Sequence, residues 1–322
     1  VPSCWQMEGY GHPKFRNVHQ PFPATPPKVP EDYNPVGIYK KTFSISEDWD
    51  DRQVFLHFEG VKSASYVWIN GEKVGYDQGG MEQAEYDITS YLHEGTNSIT
   101  VQVFRYCDGT YLECQDMWRL SGIYRDVYLM ASPKTHIRDF YITTGLDSRY
   151  RDATLTVEAT LKNYHRQATS ENCRVDIQLY DEAGKAVLEE PLTKKGITLS
   201  AEGEQTLQFS EEIDNPQKWS AEFPNLYTVA LELKDDNGNT LEVVSDRVGF
   251  REVEIKDQAV YVNGRQIKFN GVNSHMHHPE LGRGMDKETI RKDLTIMKKF
   301  NINCVRTSHY PPNHEYLDVA DE

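Results

Sequence analysis

The chain is predicted to be a mainly β, multidomain protein. A jelly-roll β-sandwich is expected over residues 1–133, an immunoglobulin-like β-sandwich over 134–249, and the first β-α-β part of a TIM (β/α)8 barrel over 250–322. Three observations predict this. Short apolar runs with a period of two recur to about residue 249, and turn residues break them every ten positions or so, a spacing that builds antiparallel sandwiches or jelly rolls. After Phe250 the period changes from that of a strand to that of a helix and back again. Finally, 322 residues are long for a single domain.

Taken in order, residues 1–36 carry Pro21, Pro23, Pro26, Pro27, Pro30 and Pro35. Proline fixes φ and removes a donor, so this is an extended arm and not a helix. Trp5, Tyr10, Phe15 and Phe22 make it too aromatic for a solvated linker, so it should wrap the sandwich. Val54, Leu56 and Phe58 then alternate with Phe55, His57 and Glu59 as a one-sided strand. Segments 65–69 and 72–76 flank Asn70-Gly71, a type I′ hairpin signal. Ile99, Val101 and Val103 mark another one-sided strand, and residues 124–130 a further one.

In the second sandwich Leu155, Val157, Ala159 and Leu161 share one face. So do Val175, Ile177 and Leu179, and later Val229, Leu231 and Leu233. Residues 181–184 and 235–239 read as turns, and roughly seven short strands fit the immunoglobulin-like pattern. The Trp219 to Tyr227 stretch is an aromatic corner, expected to pack the core and not to bind a ligand. Beyond it, 261–264 forms a small hairpin and 267–273 a strand. Asp286 caps a helix with Ile290, Leu294 and Met297 on one face. Asn301 ends that helix, and 304–309 is the next strand. Two strands cannot close a barrel, so Ile267, Phe269, Ile290, Leu294 and Val305 are expected to lack most of their partners, with fraying beyond about 255.

A net charge of −15 opposes binding to a nucleic-acid backbone. No apolar run approaches the ~20 residues of a membrane span. A neutral ligand such as a sugar is compatible with both facts. Aromatic residues make up 11%; their faces can stack on sugar rings, although cores and rims are their ordinary place. Cys4, Cys107, Cys114, Cys173 and Cys304 are odd in number and scattered, without C-x-x-C, which favours a reducing compartment. The cytoplasm is the expected location and the periplasm the alternative. The chain opens on Val1, so a leader could have preceded it.

Polar groups at the carboxyl ends of barrel strands are where such barrels do chemistry. His275 and His277 form H-x-H at the first strand end, where i and i+2 share a face, and His309 closes the second strand. An imidazole both donates and accepts, which suits a hydroxyl. The same H-x-H spacing serves metal ligands, so a metal-dependent TIM-barrel hydrolase built on His275 and His277 stays open. Arg306, inside a strand, must find a partner if it is buried. With 50 acidic residues, no carboxylate pair can be chosen from spacing.

Asn303-Cys-Val-Arg-Thr-Ser-His-Tyr-Pro311, with Tyr316, Leu317 and Asp321 downstream, resembles the first signature of glycoside hydrolase family 2. Arg247-Val-Gly-Phe-Arg251 resembles that family's junction into its barrel. Tyr111-Leu-Glu-Cys-Gln-Asp-Met-Trp-Arg-Leu-Ser-Gly-Ile-Tyr-Arg-Asp126 is similar to the first domain of the family's large bacterial β-galactosidases. Val1-Pro-Ser-Cys-Trp-Gln-Met-Glu-Gly-Tyr10 and Phe15-Arg-Asn-Val18 match them too. Gln115-Asp-Met-Trp118 follows the β-galactosidase pattern and not that of β-glucuronidases.

The resemblance implies the front portion of a retaining β-galactosidase acting on terminal non-reducing β-D-galactose residues, as in lactose. The parent would extend beyond Val1 and Glu322 and carry both catalytic glutamates outside this chain, so the chain alone is expected to be inactive. It implies a sugar site lined by Asn17, Val18, Asp116, His275 and His309, with Arg306 orienting a catalytic carboxylate. Asp116 would also touch a monovalent cation, and Gln78 and Asp108 would supply half of an accessory divalent site. Mg2+ and Na+ are the cations implied for the parent, the main Mg2+ ligands lying elsewhere. A homo-oligomeric parent with a β-galactoside substrate, and no nucleic-acid or membrane partner, is the expectation. The alternatives are a β-glucuronidase or β-mannosidase of the same family and a non-catalytic carbohydrate-binding module.

Overall fold

A computed structural model describes residues 1–15, 22–113, 116–168 and 172–322. They fall into two units. One joins Val1–Asp50, Val54–Ala131 and Asn270–Glu322; the other joins Asp51–Gln53 and Ser132–Phe269.

The first unit contains the jelly roll. A four-stranded antiparallel sheet runs Val36–Ser44, Thr96–Phe104, Ala64–Ile69, Glu72–Asp77. A three-stranded sheet runs Val127–Ser132, Gln53–Phe58, Ala84–Asp87. Val54, Leu56 and Phe58 of the second sheet interdigitate with Val67, Ile69, Val101 and Val103 of the first in one core. The Asn70-Gly71 turn has φ of 51° and 86°, the two positive values that type I′ demands. Asn70 also donates to Tyr91 O and Asn97 Oδ1, each at 2.8 Å.

Two strands differ from the sequence expectation. Gln53–Phe58 is buried at every position, not on alternate ones. His57 stacks on Tyr128 with centroids 4.9 Å apart and meets Glu85 at 3.4 Å, so its face is covered as well. The strand expected over 124–130 is Val127–Ser132. Tyr124 and Arg125 instead turn inward as loop residues, with Tyr124 Oη donating to Gly80 O at 2.8 Å. Along the proline-rich arm the described residues form one short strand, Lys14–Phe15, paired with Trp118–Arg119.

The second unit is an immunoglobulin-like sandwich. Thr135–Leu146, Ala153–Asn163 and Glu204–Ile213 form one sheet. Leu192–Ile197, Cys173–Tyr180, Tyr227–Lys234 and Thr240–Val248 form the other. The period-two positions Leu155, Val157, Leu161, Val175, Ile177, Leu179, Val229, Leu231 and Leu233 are all fully buried between them. Each such side chain contributes roughly 1.5–3 kcal/mol over an exposed one. Of the aromatic corner expected to pack the core, Tyr227 lies in it, whereas Trp219 is half-buried, its backbone N–H donating to Phe250 O at 2.9 Å and Arg251 covering its ring at 4.6 Å, and Phe223 is exposed. The hairpin from Ala259–Val262 to Arg265–Gln266 turns on Asn263 and Gly264, both at positive φ.

The β-α-β segment returns to the first unit. Gly271–Ser274 and Cys304–Thr307 pair in parallel, Val272 opposite Val305 and Asn273 opposite Arg306. Between them lies α1 (Lys287–Lys299), whose Thr289 N–H donates to the Asp286 cap at 2.7 Å. α2 (His314–Asp321) follows. The first strand starts later than the expected 267, because Asn270 is held across the gap by Asn301 O at 2.6 Å and Asn303 Oδ1 at 2.9 Å. Most of the apolar face expected to lie bare is covered. Ile290 is fully buried, and Leu294 and Val305 pack on a cluster that includes Met117, Leu120 and Tyr124 of the jelly roll and Tyr316 and Val319 of α2. Phe269, by contrast, is 57% exposed.

Candidate functional site

The parallel ladder extends one step past Thr307, where Ser308 N–H donates to Ser274 O at 3.0 Å. Equal strand lengths then deliver the next residues side by side. The rings of His275 and His309 stand edge to face, centroids 5.7 Å apart at 86°. Tyr310 flanks His275 at 6.1 Å. Arg306 Nη2 lies 3.0 Å from His309 Nδ1. A guanidinium only donates, so Nδ1 accepts, the proton sits on Nε2, and the outer edge of the ring is a donor. Arg306 itself is exposed and also reaches Asn273 Oδ1 at 3.5 Å.

His275 binds its proton more weakly than an ordinary histidine. Burial is the main cause; the neighbouring His309 and Arg283 add to it, and the charge of Asp116 opposes them. The exposed Asp116 therefore lies within electrostatic reach of His275, although it comes from the jelly-roll loop and not from the barrel segment. At neutral pH His275 is uncharged and can donate from one nitrogen and accept at the other. Imidazole NMR titration is expected to place it below the usual histidine range. Asp116→Asn should move it lower still, since the carboxylate favours the imidazolium; an unmoved midpoint would show that the two do not interact.

The remaining histidines are used differently. His277 stacks on Trp118 at 6.2 Å and 17°, its proton affinity lowered by burial and then by Arg283. His278 Nδ1 accepts from the backbone of Glu280 and Leu281 at 3.1 Å, shaping a turn. That turn passes through Gly282 at φ +66°, where an added Cβ would meet Leu120 at 2.8 Å and Met7 at 3.0 Å. Gly282→Ala is expected to cost about 2 kcal/mol, from left-handed strain plus crowding; a denaturant midpoint equal to the parent's would contradict it.

Two buried arginines tie these loops together, and sequence reasoning missed both. Arg283 Nη2 donates to Trp118 O at 3.0 Å. Arg125 Nη2 donates to Pro311 O at 2.7 Å, two residues past His309. A loop arginine has no period to betray its burial; the only local signal is the Gly282-Arg283-Gly284 context. Lys62 Nζ, from the jelly roll, pairs with Glu113 Oε2 in the loop that leads to Asp116.

Gln78 and Asp108 gather elsewhere in the jelly roll, around Tyr76. Tyr76 Oη donates to Gln78 Oε1 at 2.7 Å. Asp108 Oδ1 accepts from Gly109 N at 2.9 Å at the start of the turn Asp108–Tyr111. The Tyr76 hydroxyl is pushed up to about 12, by burial first and then by nearby anions including Asp108. Among the described residues no group of three or more His, Cys, Asp or Glu could hold a metal. Gln78 and Asp108 bring two of the ~six oxygens that a Mg2+ shell takes, and Asp116 is a single exposed carboxylate. Asn17 and Val18 lie outside the described residues.

Residues 1–133 match the sugar binding domain of Glycosyl hydrolases family 2, residues 135–251 match Glycosyl hydrolases family 2, and residues 253–322 match the family's TIM barrel domain. The chain is 44% identical over 327 residues to a β-galactosidase of Priestia megaterium, covering 100% of this chain and 31% of that protein. It is 41% identical over 325 residues to a β-galactosidase of Alteromonas mediterranea, covering 100% and 30%. The chain thus spans less than a third of the length of these curated relatives. The crystal structure of a Bacteroides uniformis β-glucuronidase superposes with a TM-score of 0.86 over 100% of this chain and 37% of that one, at 23% identity, which is a likeness of fold. The three matched segments adjoin one another from one end of the sequence to the other, and on that ground the chain belongs to glycoside hydrolase family 2.

Proposed function

We propose that this chain forms the sugar-recognising front of a retaining β-galactosidase that hydrolyses terminal non-reducing β-D-galactose residues, such as that of lactose. One observation carries the reading. Two imidazoles stand 5.7 Å apart at neighbouring strand ends, and Trp118, two residues after Asp116 in a loop of another domain, stacks on His277, two residues after His275. The names of relatives at 41–44% identity support galactose as the sugar.

The chemistry assigned to these residues is recognition. Retention needs two carboxyl groups about 5–5.5 Å apart, and the resemblance puts both outside these residues. His309, protonated on Nε2, donates to a sugar hydroxyl. Neutral His275 donates to one oxygen and accepts from another hydroxyl, and Asp116 accepts as well. Such bonds reject analogues lacking the hydroxyl, because a partner shut off from water by the bound sugar would be left unsatisfied. Arg306 locks the tautomer of His309 and offers its exposed edge to a catalytic carboxylate. Asn17 and Val18 are proposed to line the same sugar site. Mg2+ and Na+ would add positive charge near developing anions in the whole enzyme, held by more donors than Asp116, Gln78 and Asp108 provide.

A homo-oligomeric parent in the cytoplasm completes the proposal. Among the described residues Cys4, Cys107 and Cys304 carry free thiols, in keeping with a reducing compartment. No helix among the described residues is long and apolar enough to cross a membrane.

The test is a panel of chromogenic β-galactoside, β-glucuronide and β-mannoside on the full-length protein, with the product anomer followed by NMR. Galactoside cleavage with retention is expected, and Asp116→Asn or His275→Asn should lower kcat/KM by at least tenfold. Preference for the glucuronide or mannoside, or inversion, would overturn it.

A further inference from the structure

We propose that Arg283 is a positioning residue that sets Asp116 against His275. This deepens the galactoside reading and rests on it for its meaning. Arg283 is only 5% exposed, and among the described residues no carboxylate is paired with it. A bare cation in such a place is costly, and apolar packing alone would be served better by Met or Leu. Its neighbours are soft and dipolar instead. Tyr310 and Tyr124 present ring faces at 5.0 and 5.8 Å, and the sulfurs of Met117 and Met81 lie against its two Nη atoms. Cation–π attraction offsets part of the lost hydration.

These contacts connect the three loops that carry the candidate sugar ligands. Arg283 belongs to the loop that leaves His275. It lies over Tyr310, the residue after His309. It holds Met117 by its sulfur and Trp118 by its carbonyl oxygen, the two residues after Asp116. A planar fork with several donors can span three loops at once; a lysine ammonium cannot reproduce that geometry. Gly282 brings the backbone close enough to Leu120, Met7 and Cys4 for the side chain to enter. The spacing between Asp116 and His275 is therefore set by a group that need touch neither sugar nor reacting atoms.

The experiment is a double-mutant cycle on the full chain, read at the His275 imidazole by NMR titration. Asp116→Asn shifts the His275 midpoint downward in the parent. In Arg283→Met the same Asp116→Asn change is expected to produce less than a third of that shift, because the carboxylate has already moved away. Arg283→Lys, which keeps the charge without the fork, should lose at least half of it and serves if the Met variant does not fold. An equal Asp116→Asn shift in all backgrounds overturns the proposal. A β-thiogalactoside is titrated into the full-length forms of the same variants. Affinity at least tenfold weaker in Arg283→Met, with less than twofold further loss on adding Asp116→Asn, supports a role exerted through Asp116; independent, multiplicative losses count against it. If the parent shows the NMR coupling but no affinity for the thiogalactoside, the galactoside reading fails while the positioning role stands.

Discussion

Arg125→Met should destabilise the unit formed by the jelly roll and the β-α-β segment by about 3 kcal/mol, the sum of several carbonyl oxygens left unsatisfied at roughly 1–3 kcal/mol each. Arg125 is 8% exposed. It donates to Pro311 O at 2.7 Å, Glu59 O at 3.3 Å and Met81 O at 3.4 Å. The first bond is short and the others long, so most of the effect should come from Pro311. Met keeps the apolar stem but also loses the guanidinium that lies over the Tyr124 ring at 5.4 Å. Arg125→Lys can satisfy one carbonyl and should recover up to half of the loss. Because Pro311 precedes α2, the first amides to lose hydrogen-exchange protection should be those of α2 and not those of Gln53–Phe58. A uniform loss of protection, or an unchanged urea midpoint, would show that the Pro311 contact does not hold the segment in place.

How much of this was legible in the sequence depends on how local each cause is. Leu155, Val157 and Leu161 announce their strand because a pleat repeats every two residues. Asn70-Gly71 and Asn263-Gly264 announce their turns because few other residues accept positive φ. His275 and His309 were readable as neighbours because two parallel strands in register bring their ends together. Asp116 was reachable only through its motif, since a loop residue has no period. Arg125 and Arg283 were invisible, because the atoms they bond lie from 44 to 202 positions away in the chain. The same distance explains the misjudged Ile290. Its partners include Leu120 and Tyr124, in a loop whose pattern gives no hint that a helix will cover it. His57 was misread for a related reason: an aromatic neighbour on the adjacent strand can cover a face that alternation marks as wet.

Lys62 gives the second large effect, and its sign is opposite to that of ordinary alkaline unfolding. The ammonium is 8% exposed and pairs with Glu113. Its proton affinity is pulled from 10.5 down to about 8, by burial above all and by the like charge of Arg283, with Glu113 opposing and the Cys107 thiol helping it. Arg105 and Arg119 line the same cavity. The folded pKa therefore lies below the unfolded one. Below about pH 8 both states hold the proton and the full desolvation penalty is present. Between about 8 and 10.5 the unfolded chain binds more protons than the folded one, so stability rises with pH. The relief across that window is about 3 kcal/mol at ~1.4 kcal/mol per pKa unit. Urea unfolding of the parent and of Lys62→Met at pH 7.5 and 10.5 should show the difference between them growing by that amount in favour of the parent; parallel pH profiles would contradict it. Glu113 stands three residues before Asp116, so losing the ammonium also frees the loop that presents the carboxylate. Affinity for a β-galactoside should then fall above pH 8 while stability increases, a divergence that Lys62→Met, with Glu113 untethered at every pH, should not show.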